Sequence, residues 1–206
     1  LVDAQELARN LGIRAERVSI AEAYRVFESQ LSNLCPSYDR STAGENTQAR
    51  CRMIVLMALA NFYGWTMVNT GNKSEAMMGY STLYGDTAGA YAPIGGLYKT
   101  DVYAVSRWVN ARAEAAGRVA PIPEHVLVKP PSAELPPHQQ DETSLGPTYA
   151  EPDKLPIDYK ERGKSVEQLI AAGYDAAEVE RITKRVEAYA FKRALEPQFP
   201  VIPYAE

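Results

Sequence analysis

Apolar and polar positions alternate between helical and extended spacing through the first half of the chain. Ala4–Leu11 has the periodicity of an amphipathic helix and meets Gly12, suited to a helix C′ position. Ala15–Ile20, with RVSI as its apolar end, predicts a strand. Ala21–Asn33 carries Ala21, Tyr24, Phe27 and Leu31 at helical spacing and predicts one buried stripe. Cys35–Glu45 is short of apolar residues and rich in turn formers, which predicts an exposed, mobile loop. Asn46 stands where an N-cap would, before a helix to about Tyr63 that is apolar on much of its circumference and stops at Gly64. Trp65–Asn69 predicts a buried strand.

Next comes Asn69–Asp86, NTGNKSEAMMGYSTLYGD, in which a tight glycine turn leads from an extended run into a short helix. An open parallel sheet presents polar groups to ligands in this way at its carboxyl edge. Taken alone, the stretch also reads as an ordinary surface turn with a solvated Lys and Glu. Ala90–Leu97 is a loop, and Lys99-Thr100-Asp101 opens a helix running through Trp108 to Gly117, with Thr100 as its expected N-cap. Pro121–Pro156 holds nine of the 14 prolines and reads as a lid or linker. Ser165–Gly173 predicts a short helix with a Ser165/Gln168 capping box. Asp175–Leu195 predicts a longer one ending in Phe191-Lys192-Arg193, basic as the macrodipole prefers. The expected fold class is α/β, a three-layer parallel sheet here incomplete, with C-terminal helices. The expected organisation is an α/β portion over 1–120, a Pro-rich lid over 121–160 and a helical segment over 161–206.

Composition narrows the function classes. With 206 residues, 46% hydrophobic and 23% charged, the chain can bury one good core. A net charge of −4 gives no basic field for nucleic acid. The cysteines, Cys35 and Cys51, are too few for a disulfide scaffold and predict a reducing, cytoplasmic setting. No window approaches the ~18 apolar residues of a membrane span, and no signal peptide is visible.

Several residues carry candidate chemistry. Glu75 offers the oxygen ligand that a hard cation such as magnesium takes. Arg50 and Arg52 lie two apart, so they point to different faces and could serve different anions. Lys99, beside a helix N-terminus, could hold a phosphate together with backbone amides, although a plain surface lysine fits as well. Lys129–Gly146, KPPSAELPPHQQDETSLG, sets a serine and several acids between rigid proline pairs, as a lid over a reactive intermediate or as an exposed linker. His125 and His138 lack metal-ligand spacing.

Together NTQARCRM, NTGNKSEAMMGYSTLYGD, GGLYKTDVY, KPPSAELPPHQQDETSLG and the late FKR occur in the order and spacing of NAD+ synthetases. The chain resembles the synthetase domain of that family along essentially its whole length, most closely the glutamine-dependent long form. The resemblance implies an adenine-nucleotide α-hydrolase-like fold, often a homodimer, that binds ATP and deamido-NAD. It implies adenylation of the nicotinate carboxylate, release of pyrophosphate, and attack by ammonia to give NAD+ and AMP. By motif position it implies Glu75 as a magnesium ligand, and Thr70 and Arg52 as ATP contacts. Lys99 and Ser132 would hold ATP phosphates and pyrophosphate. Asn46, Asp86, Asp141 and Lys192 would contact deamido-NAD. The family's SGGxDS-type pyrophosphatase loop would precede Leu1, and ammonia would come from a nitrilase-like glutaminase domain. The resemblance therefore implies a partial synthetase domain, with little turnover expected from this chain alone. Two alternatives stand beside it: another ATP pyrophosphatase, of the GMP- or argininosuccinate-synthetase type, and a fragment that keeps only dimerisation and deamido-NAD binding.

Overall fold

The computed structural model describes residues 2–129 and 153–204. Three helices come first: α1 (Val2–Leu11), α2 (Ala21–Leu31) and α3 (Thr42–Tyr63). α3 starts a turn earlier than Asn46. Ser41 is its N-cap, accepting from the Gly44 amide at 3.2 Å while its hydroxyl donates to the Tyr38 carbonyl at 2.6 Å. A 3-10 turn at Tyr38–Arg40 leads into it, with Tyr38 buried and its phenol bonded to Thr47. Much of the expected loop at 35–45 is therefore folded, because one tyrosine finds cover and one serine caps a helix. Gly64, at φ 66°, ends α3 as its sequence predicts.

Other expectations also need correction. Residues 15–20 form no strand; the segment is irregular and largely exposed. A strand shares its backbone bonds with a neighbour, and among the described residues nothing pairs with this one. Trp65–Asn69 is buried only at Asn69, with Trp65 exposed and stacked on Tyr63 at 4.4 Å. Its ladder is a single parallel bridge, Val68 to Tyr91, closed by Ala90 N–H to the Met67 carbonyl and Asn69 N–H to the Tyr91 carbonyl, both at 2.9 Å. The stripe on α2 is likewise only half-covered, Phe27 remaining 39% exposed.

Then follow α4 (Lys73–Met78), α5 (Lys99–Ala115), α6 (Glu124–Val128) and α7 (Lys154–Pro156) with a π-helical turn at Ile157–Glu161. α8 (Val166–Ala171), α9 (Ala176–Ala188) and α10 (Ala190–Arg193) complete the order. Tyr98, not Thr100, occupies the N-cap position of α5. The helix expected over 175–195 breaks at Tyr189, whose backbone leaves the helical region at φ −100°, ψ 11°. The break turns the Tyr189 ring onto Gly79, where a Cβ would lie 2.1 Å from the ring.

The core joins Met77 and Met78 of α4 to Tyr98, Leu155, Leu169, Val179, Ile182 and Val186. Burying each such side chain stabilises the fold by roughly 1.5–3 kcal/mol. α4 is thus pinned from below, and its other side is left for polar work. The C-terminal stretch recrosses the sheet-like edge: Ala92 N–H donates to the Gln198 carbonyl at 2.9 Å, and the Tyr204 hydroxyl donates to Asp101 at 2.7 Å. Lys73 sits 5.5 and 5.2 Å from the rings of Tyr98 and Tyr204 and pairs with Glu161 at 2.8 Å. Among the described residues no helix is long and apolar enough to cross a membrane.

Candidate active site

A cavity of about 1000 Å³ opens over the N-terminal end of α4. Asn46, Arg52, Thr70, Glu75, Asp86, Lys99 and Lys192 all line it. Ser132 and Asp141 lie outside the described residues. Arg52 faces the cavity while Arg50 turns away and donates to the Leu83 carbonyl at 3.1 Å, as positions two apart on a helix must. Because α3 begins at Thr42, both arginines stand beyond its first turn rather than against its positive end.

The glycine turn is fixed by Asn69. Its Nδ2 donates to the Asp86 and Ala88 carbonyls at 2.7 and 3.0 Å, and its Oδ1 accepts from the Gly71 amide at 2.7 Å. Asn72 then caps α4 in a reciprocal box, its Oδ1 taking the Glu75 amide and Glu75 Oε2 taking the Asn72 amide. Glu75 is held in place by the start of its own helix, with Lys99 Nζ 3.8 Å from its Oε1. Across the cavity, Asn46 Oδ1 accepts from the Thr82 hydroxyl at 2.6 Å. The Thr82 amide donates to Asp86 at 2.6 Å. Asn46 and Asp86 thus share one support.

Lys192 reaches back from α10 to donate to the Gly79 and Ser81 carbonyls at 2.8 and 2.5 Å, over the Tyr189 ring at 4.9 Å. Burial lowers its pKa, and the charge of Asp86 works against that shift. Burial raises the pKa of Asp86 in turn, opposed by the Thr82 amide and by the charges of Lys192 and Arg52. The two groups form a half-desolvated pair of opposite charge at one end of the cavity. Glu196, also in the lining, is pushed up to about 7 by burial, with Arg193 opposing and Glu75 adding to the shift.

Several lining residues are not legible as site residues in the sequence. Arg185 donates to the Met78 carbonyl at 2.8 Å and stacks on Tyr189 at 5.4 Å. Tyr189, Glu196, Glu45 and Lys129 join it. For Asn69 the signal was present: an asparagine just before a glycine turn ties such turns through its side chain. Arg185 meets α4 only across 107 residues of chain, so no local pattern could announce it.

Among the described residues no group of three or more His, Cys, Asp or Glu could enclose a metal ion. Glu75 nevertheless fits magnesium, which is held through one or two carboxylates with water and substrate phosphate completing its shell. Residues 1–196 match the family model for NAD synthase. The chain belongs to the NAD synthase family. It is 41% identical over 192 residues to the glutamine-dependent NAD(+) synthetase of Thermotoga maritima, covering 93% of this chain and 32% of that protein. It is 40% identical to that of Rhodobacter capsulatus, covering 94% and 35%. The chain thus spans about a third of the length of these relatives.

Solved structures give the same family. An Acinetobacter baumannii glutamine-dependent NAD+ synthetase in complex with ADP matches with a TM-score of 0.58 and 30% identity, covering 100% of this chain and 35% of that one. A Francisella tularensis NMN synthetase matches with a TM-score of 0.72 and 29% identity, covering 99% and 72%. These solved structures are consistent with the α/β class, although the described residues here hold helices and one bridge.

Proposed function

We propose that this chain forms the nucleotide-facing part of an enzyme that amidates deamido-NAD to NAD+ at the expense of ATP. The observation that carries the reading is convergence. Residues drawn from separate motifs, Asn46 to Lys192, line one cavity, in which Lys99 lies 3.8 Å from Glu75 and Lys192 is charge-coupled to Asp86.

The nicotinate carboxylate attacks the α-phosphorus of ATP, and pyrophosphate leaves. Ammonia then adds to the acyl carbon, AMP departs with the electron pair of the broken single bond between the acyl carbon and the phosphate-bearing oxygen, and the nitrogen gives up a proton to water. Every species except ammonia is anionic, so charge compensation dominates the barrier. Thr70 and Arg52 receive ATP, and Lys99 with Ser132 takes the phosphates. Asn46, Asp86, Asp141 and Lys192 orient deamido-NAD, Lys192 against its negative charge. Glu75 would hold magnesium, which neutralises phosphate charge when bound. Within the Pro-rich 121–160 segment, which lies between the α/β portion at 1–120 and the helices at 161–206, the stretch 129–146 serves as the lid that excludes water. A parallel Rossmann-like sheet, a homo-oligomer, a cytoplasmic location and a nitrilase-like domain supplying ammonia from glutamine complete the proposal.

The test is AMP release by the protein carrying this chain, given ATP, magnesium and ammonia with deamido-NAD, nicotinate mononucleotide, XMP or citrulline. The mononucleotide is included because one similar structure is an NMN synthetase. Release with deamido-NAD alone is expected; release only with XMP or citrulline would sink the reading.

A further inference from the structure

Asp153, near the end of the Pro-rich segment, is 3% exposed, lies 79 residues from its partner Ser74 and has no part in the site described above. Its Oδ1 accepts from the Ser74 hydroxyl at 2.5 Å. Its Oδ2 accepts from both the amide and the hydroxyl of Thr100, each at 2.9 Å. The Ser74 oxygen also accepts from the Lys99 amide at 2.8 Å.

These bonds do the work of an N-cap. Tyr98, in the N-cap position of α5, has no side chain capable of capping it. The first amides of the helix are satisfied from elsewhere, Lys99 by Ser74 of α4 and Thr100 by Asp153. A carboxylate at this end also complements the helix dipole. Ser74 immediately precedes Glu75, and Thr100 immediately follows Lys99. One buried carboxylate therefore fixes α4 against α5 at the residues that set Lys99 Nζ 3.8 Å from Glu75.

We propose that Asp153 is a positioning residue for the phosphate side of the site, holding Lys99 and Glu75 in register through Thr100 and Ser74. The role rests on the functional reading above, in which Lys99 and Glu75 meet ATP. It acts on one substrate only. The residues assigned to deamido-NAD, Asn46, Asp86 and Lys192, hang from Thr82, Gly79 and Ser81 and share no bond with Asp153.

The experiment measures binding of Mg-ATP and of deamido-NAD by calorimetry in wild type, Asp153→Ala, Asp153→Asn and Ser74→Ala. Asp153→Ala is expected to weaken Mg-ATP by ~10-fold and leave deamido-NAD within ~2-fold, since only positioning at the phosphate end is lost. Asp153→Asn keeps the shape and the Thr100 acceptor, so it recovers part of the loss. Hydrogen exchange at the Lys99 and Thr100 amides is expected to speed up in the alanine variant while Ile182 and Val186 stay protected. Equal weakening of both ligands, or Mg-ATP binding unchanged in a folded variant, overturns the positioning role alone. Wild type that binds neither ligand overturns the functional reading and this role with it. If Asp153→Ala does not fold, Asp153→Asn and Ser74→Ala decide by the same selectivity.

Discussion

Lys192 spends its charge on two backbone carbonyls and an aromatic face, so it presents a fixed cation rather than a searching one. Lys192→Ala is expected to weaken deamido-NAD by ~10-fold or more, the scale of a lost charged hydrogen bond, with calorimetry as the check. Glu196 gives a pH dependence. Burial pushes its folded-state pKa up to about 7, above the ordinary 4.5. The stability it contributes is complete below the unfolded pKa and is lost as pH rises through about 7. Over the same range it becomes an anion inside the cavity proposed to take the ATP phosphates. Mg-ATP binding should therefore weaken from pH 6 to about 8, and Glu196→Gln should flatten that slope in a pH series of binding constants. At this scale the motifs pointed to Glu75, Lys99 and Asp86, and the structure brings these three into one cavity. Glu196 and Asp153 escaped because their roles come from burial and from partners far along the chain.

Among elements, α4 is the one whose two ends do different jobs. Its capped N-terminus aims Glu75, and its C-terminus is a left-handed Gly79 under the Tyr189 ring. Gly79→Ala adds a left-handed penalty of roughly 1–2 kcal/mol to a direct clash with that ring, so a loss of at least this size is expected in urea unfolding. Ser41→Ala should cost about 1 kcal/mol by removing the α3 cap, with little effect on ligand binding. Helices were readable from spacing and stop signals, as Gly12, Gly64 and the Ser165 box attest. Their starts were less so. Asn46 and Thr100 are competent caps, but Ser41 and a pair of distant side chains were better placed.

For the whole molecule, the link between 157–174 and the core turns on Asp158. Burial pushes its carboxyl up, but hydrogen bonds from Arg162 at 2.7 Å and from Lys164 and Tyr174 at 2.9 Å outweigh it and bring it to about 2. Its folded pKa thus lies below the ordinary 3.8. The stability it adds is present above that value and disappears as pH falls towards 2. Asp158→Asn should lower Tm at neutral pH and make little difference near pH 2, read by thermal unfolding across about pH 2 to 7. Fold class was legible from the alternation of patterns, but the strands were not. Ala15–Ile20 and Trp65–Asn69 have strand-like composition, yet a strand exists only through its neighbours, and here one bridge is all that the described residues supply.

The basic side chains of the C-terminal helices close on α4 over sequence separations of 107 to 116 residues. That distance has a temporal meaning. As the polypeptide leaves the ribosome, the glycine turn and α4 emerge long before Arg185, Lys192 and Arg193 are translated, and the carbonyls of residues 77–81 must wait for them. Contacts of such length also rank among the slowest to form. Substrate recognition should therefore be the last property the nascent chain acquires, well after its early helices have formed.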